Sequence, residues 1–264
     1  MLIKIKDQSP WRSQVLVIQA LIKRELITSF GKFKLGALWF FIDPLLSVIF
    51  IGIILGPLVG RSAGDQIPYP FFLLCGFMLL KMCTGSLSAG VSAISSNQGL
   101  LVFKKVQPLD LFIARFVFQL FVTSSVTLVF CIIAYWIGIR MSLEQLPEIV
   151  ICILLTWLIG CGLGLYLGIA SEKNTEIKKI ASYLQRPLLW ISCVLYPLNA
   201  IPPQYTKYLL YNPLTHTIEY MRICLFPNYV APGVNLYYPA AFALCSVTLG
   251  IMAYRNNRLF LMQR

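Results

Sequence analysis

Six long apolar segments dominate this sequence and restrict the chain to a few architectures. They cover residues 35–59, 69–94, 109–137, 146–170, 180–200 and 236–254. Each is near the roughly 20 residues that an α-helix needs to cross a bilayer. Charged residues make up only 12% of the chain, against about 25% in soluble domains. The sequence therefore predicts an all-α integral membrane protein with six transmembrane helices in residues 35–254.

The distribution of basic residues predicts the topology of these six segments. If the N-terminus is cytoplasmic, few of the 22 Lys and Arg residues fall on the opposite side of the membrane. Those few are Arg61, Arg140, Lys207 and Arg222. This bias is the positive-inside pattern, so residues 1–34 and 255–264 are both expected to be cytoplasmic. The net charge of +12 is thus explained by topology, and we expect no nucleic-acid partner.

The segment before the first span has the pattern of an amphipathic helix. Its apolar residues recur at intervals of three and four positions: Trp11, Val15, Ile18, Ile22, Leu26, Phe30 and Phe33. Such a helix is suited to lie in the membrane interface. The alternative is a soluble helix that packs on a partner.

A carboxylate and a proline, Asp43 and Pro44, interrupt the first apolar segment. A charged side chain near the middle of a membrane costs about 2.5–3.5 kcal/mol on insertion scales. Asp43 is therefore either a paired structural charge in a kinked helix or part of a helix that lines a polar passage. Lys81, inside the second segment, either pairs with Asp43 or faces such a passage.

The second cytoplasmic loop carries an exposed apolar tip. Asn97, Gln98 and Gly99 predict a turn, which is followed by four apolar residues and two lysines. An apolar tip with a basic flank predicts a contact with a groove on a partner protein. The coupling candidates are Asn97, Gln98, Gly99, Leu100, Leu101, Phe103, Lys104 and Lys105. The alternative is that the apolar residues dip into the membrane interface.

The connection at 199–235 is cut into short pieces by prolines. Residues 205–211 and 214–226 can form two short helices that enter the membrane as a re-entrant pair, which requires protein or water around the interrupted backbone. His216, Glu219 and Arg222 share a helical face at intervals of three residues, so Glu219 can reach both neighbours. They form either a structural charge network or a contact with a solute.

The chain lacks the motifs of an energy-coupling or catalytic protein. It contains no phosphate-binding loop and no hydrolase motif, and its eight cysteines are scattered. We therefore expect a transporter subunit without metal, disulfide or cofactor, whose motor is a separate protein. An intramembrane enzyme that uses His216 and Glu219 is the alternative of another class. Six helices are few for a wide solute path, so a homodimer with the path between its protomers is expected.

Three groups of residues carry a resemblance to a known family. The first contains Phe30-Gly31-Lys32-Phe33 with Leu38-Trp39 and Pro44, and the second contains Asn97-Gln98-Gly99-Leu100 with Pro108-Leu109-Asp110. The third contains Tyr196-Pro197-Leu198 and Asn212-Pro213-Leu214. With these motifs the chain resembles ABC-2 permeases, and among them the KpsM family of capsular polysaccharide export permeases. Asp43 stands where that family usually carries a glutamate.

The resemblance implies six membrane helices, an N-terminal gate helix and a re-entrant pair before the last span. It implies a homodimer that binds two copies of a separate ATPase, which holds ATP and Mg. The cargo would be a lipid-linked, usually acidic capsular polysaccharide. This cargo crosses the bacterial inner membrane and passes to periplasmic and outer-membrane export proteins. O-antigen, teichoic acid, a lipid or a drug are alternative cargoes.

Aromatic faces suit sugar rings and cations suit acidic groups, which suggests candidates for the substrate path. The candidates are Trp39, Phe41, Asp43, Lys81, Arg186, Trp190, Tyr196, His216, Glu219 and Arg222. For the aromatic residues the alternative is contact with lipid or with neighbouring helices.

Overall fold

A computed structural model describes residues 10–31, 38–59, 68–101, 106–139, 142, 144–226 and 229–262. Within these ranges the regular secondary structure is helical, and no strand is formed. The α-helices are α1 (Pro10–Gly31), α2 (Trp39–Val59), α3 (Tyr69–Val91), α4 (Pro108–Trp136), α5 (Leu146–Lys173), α6 (Glu176–Ile191), α7 (Pro203–Leu209), α8 (Pro213–Leu225) and α9 (Tyr237–Met262). Short 3-10 turns lie at Gln98–Leu100 and Leu198–Ala200. The predicted all-α class is confirmed.

Five helices in the described part of the chain are long and apolar enough to cross a membrane: α2, α3, α4, α5 and α9. They coincide with five of the six predicted segments. Helix α9 continues beyond residue 254, so most of the predicted tail at 255–264 is helical. The first four residues of the predicted first span, 35–38, precede α2, and 35–37 lie outside the described residues.

The fifth predicted segment, 180–200, is not one continuous helix. Helix α6 carries Pro187 inside it and ends at Ile191. Cys193 then adopts a left-handed conformation, with φ of 54°, which is uncommon for a residue with a Cβ. The chain turns here instead of continuing as a helix, so the total of six spans stays a prediction.

Helix α5 lies at the centre of the protein, between α3 and α9, and glycines bring the three backbones together. A Cβ placed on Gly90 of α3 would lie 2.5 Å from the backbone carbon and oxygen of Gly164 on α5. On the other side of α5, a Cβ on Gly162 would lie 2.5 Å from the backbone of Ser246 on α9. Small residues that permit such close approach are typical of helix packing in membranes.

Helix α2, in contrast, is peripheral. It packs along one side of α3. Its large apolar side chains Phe50 and Ile53 are 69% and 71% exposed. An apolar, mostly uncovered helix of this kind suits contact with acyl chains or with another protein chain.

Helix α1 packs on α4 and is held there by polar contacts at its two ends. The Gln14 amide donates to both carboxylate oxygens of Asp110, at 2.6 and 2.7 Å. Asp110 in turn accepts from the backbone N–H of Gln107 and so caps α4. Near the other end, Glu25 pairs with Arg115 at 3.1 Å. The predicted N-terminal helix is present, and these side chains fix its position on the body of the protein.

Helices α7 and α8 correspond to the two short helices predicted in the connection at 199–235. The Asn212 side chain accepts a hydrogen bond from the N–H of Leu214 and caps α8. Helix α8 is buried for most of its length against α3, α5 and α9. The re-entrant position of this pair in the membrane stays a prediction.

Candidate functional site

The main candidate site is an open cavity of about 300 Å³ between four helices. Residues from α1, α2, α3 and α4 line it: Ser29, Trp39, Phe40, Asp43, Pro44, Met78, Lys81, Gln119, Val122, Thr123 and Val126. Three members of the predicted substrate path, Trp39, Asp43 and Lys81, are thus brought together. Trp39 and Asp43 lie one turn apart on α2, and the packing of α2 on α3 brings the distant Lys81 beside Asp43.

An ion pair joins the two charged residues of this cavity. The Lys81 Nζ lies 2.8 Å from Oδ2 of Asp43. The two side chains are nevertheless 43% and 58% exposed, so the pair faces open space rather than the protein core. Lys81 is also 5.3 Å from the centre of the Phe77 ring. The structure shows the pair with Asp43 that the sequence offered for Lys81 and places Lys81 in the wall of this cavity; whether Lys81 faces the substrate path stays a prediction.

Helix α4 adds neutral polar groups to the cavity that the sequence analysis did not consider. The Gln119 amide donates to the Thr123 hydroxyl at 2.9 Å. Both residues belong to a mostly apolar helix, and they are four positions apart, so they share one face. This spacing of polar residues in an apolar segment is the signal that could have identified them.

A second cluster of charges is fully buried and lies away from this cavity. Glu219 and Arg222 are completely buried and pair at 2.8 Å, and the Tyr229 hydroxyl donates to Glu219 at 2.6 Å. Arg222 also donates to the carbonyls of Cys193 and Val194, at 2.7 and 2.9 Å. Burial raises the pKa of Tyr229, a residue of the loop after α8, so its hydroxyl stays protonated as a donor.

The surroundings of Arg222 favour the structural alternative for this cluster. Its guanidinium stacks 3.5 Å from the centre of the Phe72 ring and donates to the Phe72 carbonyl at 3.2 Å. The polar atoms of Glu219 face protein donors, and neither side chain has exposed surface. A solute has no surface of either residue to contact in this fold, which favours the structural network, and the place of Glu219 and Arg222 in the substrate path stays a prediction.

His216 does not contact Glu219, although their spacing allowed it. One ring nitrogen, Nε2, lies 2.9 Å from the carbonyl of Leu210, and the other, Nδ1, accepts from the N–H of Asn235 at 3.1 Å. These partners assign the neutral form with the proton on Nε2. Burial lowers the pKa of His216, which also favours the neutral ring. With both nitrogens occupied and 3% exposure, His216 holds Leu210 and Asn235 together in this fold, and its place in the substrate path stays a prediction.

Three of the remaining path candidates, Arg186, Trp190 and Tyr196, lie on or after α6, where the neighbouring Tyr183 extends their surface. Tyr183, Arg186 and Trp190 are exposed and follow one another at intervals of three and four residues. The Arg186 guanidinium lies 5.4 Å from the centre of the Tyr183 ring. The hydroxyl of the half-buried Tyr196 donates to the carbonyl of Trp190. Phe41 is apart from this surface and packs against the core.

The coupling candidates begin in a hydrogen-bonded turn. Asn97 is buried, donates to the carbonyl of Ala93 at 2.8 Å and accepts from the guanidinium of Arg24 on α1. Gln98 and Gly99 are exposed, and Leu101 is partly buried against the core. Three further candidates, Phe103, Lys104 and Lys105, lie outside the described residues. The contact between Arg24 and Asn97 was missed, because sequence spacing alone does not reveal a bond between distant segments.

Comparison with known proteins identifies the family of this chain. Residues 17–226 match the family described as ABC-2 type transporter. The chain belongs to this family. The predicted class, the membrane subunit of a transporter, is thereby confirmed. Together with the five apolar helices, the match supports a multi-pass inner-membrane protein.

The similarity to individual relatives covers almost the whole length of this ABC-2 permease. The polysialic acid transport protein KpsM of Escherichia coli is 34% identical over 250 residues, which cover 95% of this chain and 96% of the relative. The capsule polysaccharide export inner-membrane protein CtrC of Neisseria meningitidis serogroup B is 26% identical, over 90% of each chain. BexB of Haemophilus influenzae, with the same description, is 25% identical over 91% of this chain and 90% of its own. The resemblance to the KpsM family is confirmed.

Proposed function

We propose that this ABC-2 permease is the membrane subunit of an ATP-driven exporter that moves capsular polysaccharide across the bacterial inner membrane. The supporting observation is the similarity to KpsM, which spans 95% of this chain and 96% of that protein. Similarity over that length includes loops as well as membrane helices. The cargo is a lipid-linked, acidic polysaccharide, and periplasmic and outer-membrane export proteins receive it.

In this proposal the permease is a homodimer with both termini in the cytoplasm, and each protomer binds one copy of a separate ATPase. That ATPase holds ATP and Mg, so this chain supplies no nucleotide site. The turn at 97–101 and the residues after it dock on the ATPase. A movement of this turn reaches α1 through the bond between Arg24 and Asn97. Ser29, near the end of α1, lines the cavity, so α1 connects the ATPase contact with the membrane region.

The path for the polysaccharide runs along α6. The exposed rings of Tyr183 and Trp190 offer flat apolar faces to sugar rings, and Arg186 between them offers a cation to acidic groups. Dimerisation of two such surfaces places a lined path between the protomers.

Deletion of the gene for this chain in its native bacterium tests the proposed cargo. Polysaccharide should disappear from the cell surface and accumulate inside, as measured by sugar-specific staining of intact and lysed cells. Wild-type protein should restore export, whereas Trp190→Ala should be present at normal levels and restore little. Unchanged surface polysaccharide in the deletion strain would exclude the proposal.

The contact between α1 and the loop can be tested separately. Arg24→Met should lower the transport-linked ATP hydrolysis of the reconstituted complex, because the turn loses its contact with α1. Lys23→Met is the matched control, since Lys23 is exposed on the same helical turn. Equal hydrolysis in the two variants would remove the proposed role of Arg24.

A further inference from the structure

The ion pair between Asp43 and Lys81 has unused binding capacity. The described hydrogen bond uses one of the three ammonium protons of Lys81 and one of the two Asp43 oxygens. Lys81 lies near the middle of α3, a helix of membrane-spanning length, where charged groups are costly unless they meet a partner or water. The remaining ammonium protons of Lys81 and the second carboxylate oxygen of Asp43 can therefore bind a polar ligand in the cavity.

The size and rim of the cavity restrict what that ligand can be. A volume of about 300 Å³ is at the lower limit of ligand pockets, which suits one small polar group rather than a passing polymer. Directly after the cavity residues Asp43 and Pro44, α2 exposes Leu45 and Leu46, and α4 exposes Phe121 between Gln119 and Val122. A polar group inside the cavity with apolar chains along these side chains is the arrangement of a bound lipid.

The charges of the cavity select among lipid headgroups. Asp43 and Lys81 are the two charged residues of its described lining, and their charges cancel. An anionic headgroup is attracted by Lys81 but repelled by Asp43, because the Asp43 carboxylate lies only 2.8 Å from the Lys81 ammonium group. A headgroup with a phosphate and a primary ammonium group complements both side chains. A quaternary ammonium group does so less well, because it has no N–H to donate to Asp43.

We propose that this cavity binds the headgroup of phosphatidylethanolamine, with its phosphate at Lys81 and its ammonium group at Asp43. Gln119 and Thr123 supply further hydrogen bonds from α4, and Trp39 forms the wall at the start of α2. The lipid then bridges the peripheral helix α2 and the body of the protein. This proposal depends on the membrane location of the chain and not on the identity of the exported cargo.

Native mass spectrometry of the purified full-length chain in detergent tests this proposal. The experiment compares the binding of lipids that have identical acyl chains and different headgroups. Phosphatidylethanolamine should bind about tenfold more tightly than phosphatidylcholine or phosphatidylglycerol, the ratio that one charge-assisted hydrogen bond provides. Equal binding of the three lipids, or a preference for phosphatidylglycerol, would overturn it. This comparison needs no variant. Water-soluble glycerophosphoethanolamine should compete poorly, and competition as strong as that of the lipid would exclude a lipid site.

Two variants distinguish a lipid-binding ion pair from an ion pair with a purely structural role. Asp43→Asn leaves Lys81 as an unbalanced cation, so the preference should change to phosphatidylglycerol. Lys81→Gln should weaken binding of both phosphatidylethanolamine and phosphatidylglycerol. The exposed pair Glu176 and Lys179 on α6 is the matched control, and its Gln double variant should keep the wild-type preference. An unchanged preference in Asp43→Asn would contradict the assignment.

Discussion

Replacement of Arg222 by methionine should destabilise the protein severely. Arg222 is completely buried and donates to Glu219 and to the carbonyls of Cys193, Val194 and Phe72. Methionine has a similar length but no donor, so Glu219 keeps only the Tyr229 hydroxyl and loses its counter-charge, and three carbonyls lose the bond from Arg222. Removal of one member of a buried ion pair typically costs about 3–5 kcal/mol, because the other charge stays buried. Total stabilities of domains are about 5–15 kcal/mol, so this loss is a large fraction of the total.

The assay is the free energy of unfolding in mixed micelles, measured by titration with dodecyl sulfate and followed by circular dichroism. Arg186→Met is the matched control: Arg186 is exposed, so its replacement should change the free energy of unfolding by less than about 0.5 kcal/mol. Glu219→Gln likewise leaves one buried charge, that of Arg222, without its counter-charge, so its cost should be of the same order, about 3–5 kcal/mol. A loss below about 1 kcal/mol in Arg222→Met, or equal losses at positions 222 and 186, would refute a structural role for the buried pair.

Two further predictions concern the packing of the helices. Gly164→Ala should lower the free energy of unfolding by about 1–3 kcal/mol, because the new Cβ would lie 2.9 Å from the Ser86 carbonyl oxygen. Gly31→Ala, where the new methyl meets no atom within 4 Å, is its control and should change stability by less than about 1 kcal/mol in the same titration. A double-mutant cycle on Glu25 and Arg115 should give a coupling energy of about 0.5–3 kcal/mol, and additive effects would show that their contact does not hold α1 in place.

The membrane-spanning helices were predictable because their signal is local. A continuous apolar run of sufficient length identifies α2, α3, α4, α5 and α9 without knowledge of any contact. Helices α7 and α8 were also predicted, because prolines mark where each begins. The interface pattern of α1 correctly predicted a helix but not the polar contacts that hold it.

The end of α6 could not be predicted, because its cause is distant in sequence. The carbonyls of Cys193 and Val194 accept from Arg222, almost thirty residues further along the chain. Composition shows an apolar segment there and does not show which carbonyls leave the helical pattern. For the same reason, the partners of His216 and the assembly of the cavity from four helices required the structure.

The direct backbone contacts among α3, α5 and α9 have a consequence for how the permease changes shape. Helices whose main chains touch at glycines have no layer of flexible side chains between them, so they should move as one rigid body. Helix α2 lacks such contacts and is largely uncovered. We therefore expect α2 to slide against α3 during the transport cycle, with the plane of sliding between these two helices. The ion pair of Asp43 and Lys81 joins α2 to α3 across that plane, and breaking it would remove one polar contact that opposes their relative movement.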